Sequence, residues 1–149
     1  MGHGHRTRVV WGPAELNGPP EVRTVQQRRY RCRACGTVVV VRPREVIGSL
    51  RYGATAVALS MYLWSRERLA GHKIREQVSP LPGGLYQQLH GWRQLGRWAR
   101  AAHRLWRGVQ DVAGTAREKA FGIVSQIAAH TVHVTAVLAA QLWDGAQRA

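Results

Sequence analysis

The sequence predicts an α+β fold in which a small three-stranded β module precedes an all-α bundle. Two observations lead to this prediction. Up to Pro43 the chain contains short segments rich in β-branched residues, separated by clusters of Gly, Pro and Asn. Beyond Pro43 the apolar residues recur at helical spacing. We therefore divide the chain into a β module (1–45), a helical domain (46–110) and a C-terminal apolar segment (111–149) for packing or dimerisation.

Three strands are expected in the β module, at residues 7–11, 22–30 and 37–41. A loop that contains Asn17-Gly18-Pro19-Pro20 separates the first two strands. A turn that contains Cys32 and Cys35 separates the second and third. The order of strand, strand, cysteine turn and strand is that of a zinc-ribbon-like module.

The helical part is expected to begin with a helix at residues 54–64 and a shorter one at 71–78. A third helix is predicted at 86–109, and one or two more at 116–147. Glycine weakens a helix by about 1 kcal/mol relative to alanine, so we expect the third helix to be interrupted near Gly91.

The first three helices fit a helix-turn-helix, in which one helix supports the next and the next enters the major groove of DNA. The connection from residue 79 to about 85 is rich in proline and glycine. It is longer than the turn of about three or four residues that a helix-turn-helix uses. An ordinary helical bundle has the same succession of helices and turns, and is the alternative.

Arginines recur in the third helix at spacings of four, three, four and three, and no Asp or Glu occurs between Gln77 and Gln110. At about 100° per residue, these arginines lie within an arc of roughly 80°. They are Arg93, Arg97, Arg100, Arg104 and Arg107, which we call the arginine face. The opposite side carries the predicted core residues Trp92, Leu95, Trp98, Ala99, Ala102, Leu105, Trp106 and Val109.

Such a face is suited to a polyanion, because guanidinium groups bind phosphate oxygens in pairs and also read guanine edges. The alternative is an ordinary solvated face whose arginines reflect codon bias. Codon bias, however, does not remove acidic residues, and cations without counter-charges on one stripe repel each other. We interpret the face as a nucleic-acid surface.

The formal net charge of +14 also favours an acidic partner, with nucleic acid ahead of an anionic membrane surface. The N-terminus has no apolar segment typical of a secretory signal, so we expect a cytoplasmic protein. Residues 120–143 form a long uncharged run, but it contains too many polar residues for a good membrane span. We expect no membrane partner, and interpret this run as a core helix or a homodimerisation helix.

Cys32 and Cys35 are the only cysteines, and their C-x-x-C-Gly turn is a common half of a zinc site. Tetrahedral structural zinc requires four ligands, and a zinc ribbon places its other C-x-x-C before the first strand. His3 and His5 occupy that place in this sequence. A zinc site that uses at least one of these histidines, an incomplete site, and a metal-free turn or redox pair are the three alternatives.

Three motifs resemble a known family: His5-Arg6-Thr7-Arg8, the run from Arg29 to Gly36 (RYRCRACG) and the run from Gly91 to Ala101 (GWRQLGRWARA). The chain resembles bacterial transposase-associated proteins that begin with a zinc ribbon followed by a helix-turn-helix. The resemblance implies zinc held by the two cysteines with an upstream pair, and DNA contact by the helix rich in Trp and Arg. The chain departs from that family by lacking the first C-x-x-C.

We expect no catalysis, because the few carboxylates are scattered and form no metal-binding or acid-base pattern. The leading hypothesis is a DNA-binding module of mobile-element type that binds duplex DNA through the arginine face. Further phosphate contacts are predicted from Arg28, Arg29, Arg31, Arg33, Lys73 and Arg75. The alternatives are RNA binding, in which Trp or Tyr stacks on unpaired bases, and a structural protein that dimerises through its C-terminal helix.

Overall fold

The computed structural model describes residues 1–81, 91–130 and 138–148. Its N-terminal strands are β1 (Gly2–Pro13), β2 (Pro20–Arg31) and β3 (Val38–Val41). They form one antiparallel sheet in the order β1-β2-β3. The helices of the described part are α1 (Ala54–Ser65), α2 (Gly71–Val78), α3 (Gln94–Leu105), α4 (Ala116–Ala128) and α5 (Leu138–Arg148). The predicted α+β layout is confirmed.

Strand β2 is the centre of the sheet, so that Arg28 lies opposite His5 in β1 and Val41 in β3. The three predicted strands coincide with these elements, although β1 and β2 extend further at both ends than the β-branched segments indicate. The pairing of β1 with β2 is irregular between Gly2 and His5, where Gly4 has a φ of +87°.

Helix α1 is the centre of the bundle. It is apolar or small around most of its circumference, and it contacts every other described helix as well as β1. A helix that is apolar on all sides is stable only when it is surrounded. The hydroxyls of Ser60 and Ser65 are buried and donate to the carbonyl oxygens of Ala56 and Met61, at 2.6 Å and 2.7 Å, which satisfies both groups.

The arginine helix is shorter than predicted. Helix α3 begins at Gln94 and ends at Leu105, whereas the sequence pattern predicts residues 86–109. Gly91 has a φ of +70°, a left-handed conformation that a continuing helix does not allow, so the predicted interruption there is confirmed. The predicted start of the helix lies in residues 82–90, outside the described part.

The C-terminal segment folds back onto its own chain. Helix α5 packs on α1 and α4, and the indole nitrogen of Trp106 donates to the carbonyl oxygen of Ala146 at 3.2 Å. The sequence predicts one or two helices at 116–147, and two are present among the described residues, while residues 131–137 lie outside them. Packing within the chain is thus observed, and homodimerisation through this helix stays a prediction.

The sheet joins the bundle at the C-terminal end of β1. The Trp11 nitrogen donates to the Arg51 carbonyl at 2.7 Å, and the Gly53 nitrogen donates to the Trp11 carbonyl at 3.0 Å. The Trp11 ring meets the ring of Tyr52 edge-on at 5.4 Å, and Val10 is buried. The other end of the sheet, which carries the cysteine turn, extends into solvent.

Helices α2 and α3 lie with their N-terminal ends together. A Cβ atom on Gly71, the first residue of α2, would lie 2.7 Å from the backbone nitrogen of Trp92, just before α3. In a helix-turn-helix a short turn instead leads from the end of one helix to the start of the next. These contacts favour the ordinary bundle, and docking as a helix-turn-helix stays a prediction.

Candidate nucleic-acid interface

Every residue of the arginine face is exposed. Arg97, Arg100 and Arg104 project from α3, Arg93 caps its start, and Arg107 follows its end. On the opposite side of the helix, Leu95, Trp98, Ala99 and Ala102 are buried. The predicted division of this helix into an arginine side and a core side is confirmed.

Aromatic packing fixes the rotation of α3. The Trp98 ring is 1% exposed and lies 5.1 Å from the rings of both Tyr52 and Trp92. Turning the arginines inward would expose this ring and bury guanidinium groups, both of which cost free energy. The arginine face is therefore held toward solvent by the core behind it.

Among the described residues, no carboxylate forms an ion pair with the arginine face. Within the described residues, the ion pairs join Arg23 to Glu21 and Glu45, Lys73 to Glu76, Lys119 to Asp111, and Arg148 to Asp144. None of these pairs involves the arginine face. Its positive charge is available to an external anion.

The acids nearest to α3 in the chain have other partners. A hydrogen bond from Lys119 at 2.7 Å, together with the charges of Lys119 and His103, lowers the pKa of Asp111. Glu118 accepts a hydrogen bond from the Thr115 backbone nitrogen at 2.7 Å, and its bonds with Thr115 lower its pKa. Both carboxylates stay charged at neutral pH and remain bonded locally.

A groove at the N-terminal end of α3 extends the arginine face. It has a volume of about 640 Å³ and lies between α3, the end of α1 and the starts of α2 and α4. We call it the Trp64 groove. Its lining residues are Trp64, Gly71, Gly91, Trp92, Arg93, Leu95, Gly96, Arg97, Arg100, Ala116 and Arg117.

A second groove, of about 250 Å³, lies at the C-terminal end of α3. Arg107 lines it together with Arg42 and Arg44, which follow β3, and with Arg148 of α5. Arg117 at one end of the helix, and Arg42 and Arg44 at the other, thus continue the positive surface, whereas Arg148 is paired with Asp144. Sequence reasoning missed Arg42, Arg44, Arg117 and Arg148, because none of them shares the helical spacing of the arginine face.

The other predicted contact residues lie elsewhere. Three of the four arginines near the end of β2 are exposed, namely Arg28, Arg31 and Arg33, and Arg29 is half-buried. Arg28 and Arg29 point to opposite faces of the sheet because they are neighbours in a strand. None of these four lines either groove at the ends of α3. Their role stays a prediction.

The two residues of α2 that are predicted to contact phosphate are an ion-paired lysine and a partly enclosed arginine. Lys73 is exposed, but it forms an ion pair with Glu76 at 3.5 Å. Arg75 is half-buried, and its Nε and one terminal nitrogen are enclosed without a hydrogen-bond partner among the described residues. Phosphate contact by Lys73 and Arg75 stays a prediction.

The cysteines lie in a tight turn at the solvent end of the sheet. The Cys32 nitrogen donates to the Thr37 carbonyl at 2.8 Å, and Gly36 has a φ of +74°. The Cys35 thiol donates to the Thr37 hydroxyl at 3.2 Å. Hydrogen bonding with Thr37, and then with Cys32, lowers the pKa of Cys35 to about 7. A thiol with this pKa is partly thiolate at neutral pH, the form that binds metals.

The residues near this turn supply only part of a zinc site. Cys32 and Cys35 are both exposed and account for two of the four ligands. Nowhere in the described ranges do three His, Cys, Asp or Glu side chains converge in a way that holds a metal. His3 and His5 lie in β1, and zinc binding with them stays a prediction.

Comparison with protein-family models, with curated proteins and with solved structures finds no match. The resemblance to transposase-associated proteins therefore stays a prediction from the three motifs. Among the described residues, no helix is both long enough and apolar enough to cross a membrane.

Proposed function

We propose that this protein is a non-catalytic nucleic-acid-binding module that holds duplex DNA on the arginine face. The observation that supports the proposal is a row of exposed guanidinium groups with no carboxylate partners among the described residues. Phosphate groups would supply the missing counter-charges, and release of their counterions would supply binding free energy.

The length of the face suits a run of phosphates. Arg93 and Arg104 are separated by about 17 Å along the axis at 1.5 Å per residue. This distance corresponds to about five base pairs at 3.4 Å each. Mobile-element function is supported only by the motif resemblance, and the arrangement of arginines does not assign a target sequence.

Salt dependence tests the proposal. Fluorescence anisotropy with a labelled blunt duplex is measured over a series of salt concentrations. If all members of the arginine face contact phosphate, log K falls with log salt at a slope of about −4 to −5. Replacing Arg97 and Arg100 with Gln is expected to make this slope shallower by about 2, because each contact contributes about 0.9.

A matched control removes the same charge elsewhere. Arg6 and Arg51 are exposed and line a groove beside β1, on a different element from the arginine face. The Arg6→Gln/Arg51→Gln variant should keep the wild-type slope. Equal losses in the two double variants would mean that net charge alone attracts DNA, and the proposal would be wrong.

The alternative functions give different results in the same titration. Tighter binding of single-stranded RNA than of duplex DNA would favour the RNA hypothesis. Self-association without polyanion binding would favour the structural protein. Within the described residues, helix α5 packs on α1 and α4 of its own chain, with Leu142 and Ala146 buried.

A further inference from the structure

The Trp64 groove differs from the rest of the arginine face because its walls come from several elements. Arg93, Arg97 and Arg100 line it from α3 and its cap, and Arg117 lines it from α4. No Asp or Glu is found among its described lining residues. Arg97 and Arg100 belong both to the groove and to the open helix face, so one nucleic-acid strand can contact both surfaces.

An aromatic platform sets this groove apart from a simple phosphate site. The Arg117 guanidinium lies over the Trp64 ring, 5.2 Å from its centroid. Trp64 is half-buried, as is Trp92, which forms another part of the wall. Aromatic rings and the planar guanidinium of arginine are the surfaces on which proteins stack unpaired bases. A paired base inside a duplex already stacks on its neighbours and does not need this platform.

Two small residues, Gly91 and Gly96, leave room for a ligand: a Cβ atom on Gly91 would meet nothing within 4 Å, whereas Trp92 packs against Gly71. Gly71, Gly91 and Gly96 all line the groove. A Cβ atom on Gly96 would lie 3.5 Å from a terminal nitrogen of Arg100, so its absence leaves space beside that guanidinium. No described side chain caps the start of α2 at Gly71, where backbone N–H groups also favour an anion.

We propose that the Trp64 groove binds one unpaired nucleotide of a DNA strand that lies on the arginine face. The phosphate is held by the groove arginines, and the base stacks on the Arg117–Trp64 pair. The volume of about 640 Å³ lies within the range of small-ligand sites. This inference depends on the proposed function and makes it more specific: the preferred ligand is a duplex with a single-stranded end.

The test compares a short blunt duplex with the same duplex carrying a single-stranded DNA tail, both labelled at the duplex end. Wild-type protein should bind the tailed form roughly tenfold more tightly, because one base–aromatic stack contributes that much. Arg117→Gln should remove this preference, because the affinity for the tailed duplex should fall by about tenfold more than the affinity for the blunt duplex.

Arg104 supplies the matched control, since it is an exposed arginine of the same helix face outside the groove. Arg104→Gln should weaken binding of both DNAs by the same factor and keep the preference for the tail. Arg117→Lys provides a second variant, which retains the charge at this position while removing the planar stacking group. It should also lose most of the preference, and thermal unfolding should show that all three variants remain folded.

A second readout locates the base. Binding of the tailed duplex should quench tryptophan fluorescence more than binding of the blunt duplex does. Trp64→Phe should keep the preference for the tail, because phenylalanine also stacks, but it should remove the additional quenching. If that quenching persists in Trp64→Phe, the base stacks elsewhere and the inference is wrong.

The two proposals fail in different ways. If neither DNA binds with a salt-dependent affinity, both proposals are wrong. If both DNAs bind with a steep salt slope but equal affinity, only the inference about the groove is wrong. If Arg117→Gln weakens blunt and tailed DNA equally, the groove holds a backbone phosphate alone, and the inference is again wrong.

Discussion

Apolar residues are buried in the helical bundle but exposed at the outer end of the sheet. Met61 at the centre of α1 is fully buried, whereas Val39 in β3 is 55% exposed. Buried side chains from every described helix join one core. In the strands, the buried residues are Val10, Gly12 and Pro13 at the end of β1 that joins the bundle, and Gln27 in β2, which lies opposite Arg6. The bundle has its own core, and the outer end of the sheet does not.

Polar anchors position the sheet, together with the buried Val10 and the contact between the Trp11 and Tyr52 rings. Arg8 donates hydrogen bonds to the carbonyl oxygens of Gly48 and Leu50, at 3.0 Å and 2.7 Å, and Arg42 donates to the same Gly48 oxygen at 3.1 Å. Burial, and then the charges of Arg42 and Arg6, lower the pKa of Arg8. The comparison teaches that the folding free energy of this protein comes mainly from the bundle, and that the sheet depends on its attachment.

The largest effect is expected in the bundle, at the contact between α4 and α5. A Cβ atom on Gly145 would collide with the carbonyl oxygen of Ile127. Gly145→Ala should therefore force the two helices apart and lower the free energy of unfolding by about 3 kcal/mol. Urea unfolding followed by circular dichroism measures this change.

Gly96→Ala is the matched control, because it makes the same substitution inside α3. The nearest atoms to a Cβ at Gly96 belong to the flexible Arg100 side chain at 3.5 Å and to Ala116 at 3.8 Å. Higher helix propensity should then stabilise this variant by up to about 1 kcal/mol. A stabilising effect of Gly145→Ala would show that the α4–α5 contact is not a tight part of the core.

A valine pair tests the attachment of the sheet. Val10 is 1% exposed. A Cβ atom added to Gly53 would lie 3.1 Å from the Val10 side chain, so the two residues are closely packed. Val10→Ala should cost about 2 kcal/mol, because it removes buried methyl groups and leaves a cavity. Val39→Ala, in the exposed β3, should change stability by less than about 0.5 kcal/mol. Equal losses would mean that the outer end of the sheet has packing partners of its own.

The sequence was sufficient for most of the elements. Helix α2 coincides with its predicted residues 71–78, and α1 ends one residue later than predicted. Amphipathic spacing also identified which side of α3 is buried. These predictions succeeded because local periodicity and the positions of glycine and proline decide such features. The exact end of α3 could not be predicted, since the helical spacing of apolar residues continues to Val109 beyond the point where Trp106 becomes extended.

The complete candidate site could not be read from the sequence. Arg117 and Trp64 are far apart in the chain, and only the packing of α4 near the ends of α1 and α3 brings them to one groove. Arg42 and Arg44 reach the other end of α3 in the same way. Conversely, Arg75 looked like a surface cation by its residue type, but its position in α2 encloses part of its guanidinium. Tertiary contacts decide these cases, and a single sequence does not record them.

A smaller effect is expected at the start of α4. The Thr115 hydroxyl accepts a hydrogen bond from the Glu118 nitrogen, and the Glu118 carboxylate accepts one from the Thr115 nitrogen, which together form a capping box. Thr115→Ala should lower the free energy of unfolding by about 1 kcal/mol.

The pH dependence of this cap follows from the lowered pKa of Glu118, caused by its hydrogen bonds with Thr115. A carboxyl group whose pKa is lower in the folded state stabilises the fold above its ordinary pKa, and this contribution is lost as the pH falls through the folded-state value. Glu118→Gln should accordingly differ in stability from wild type at neutral pH and converge with it in acid. A difference that stays constant with pH would exclude the charge of Glu118 as the cause.

The smallest effect on stability is expected at the outer end of the sheet. Because this end has no core of its own, a substitution there should change the reactivity of a thiol without changing the stability of the bundle. The pKa of Cys35 is lowered to about 7, mainly by hydrogen bonding with Thr37. Because the thiolate is the reactive form, alkylation of Cys35 by iodoacetamide in protein stripped of metal should reach half its maximal rate near that pH. Peptide mass spectrometry separates Cys35 from Cys32. Thr37→Val should move this midpoint toward higher pH while leaving the unfolding midpoint of the bundle unchanged. If Thr37→Val instead unfolded the bundle, the outer end of the sheet would contribute to the core, and the distinction between the two regions would fail.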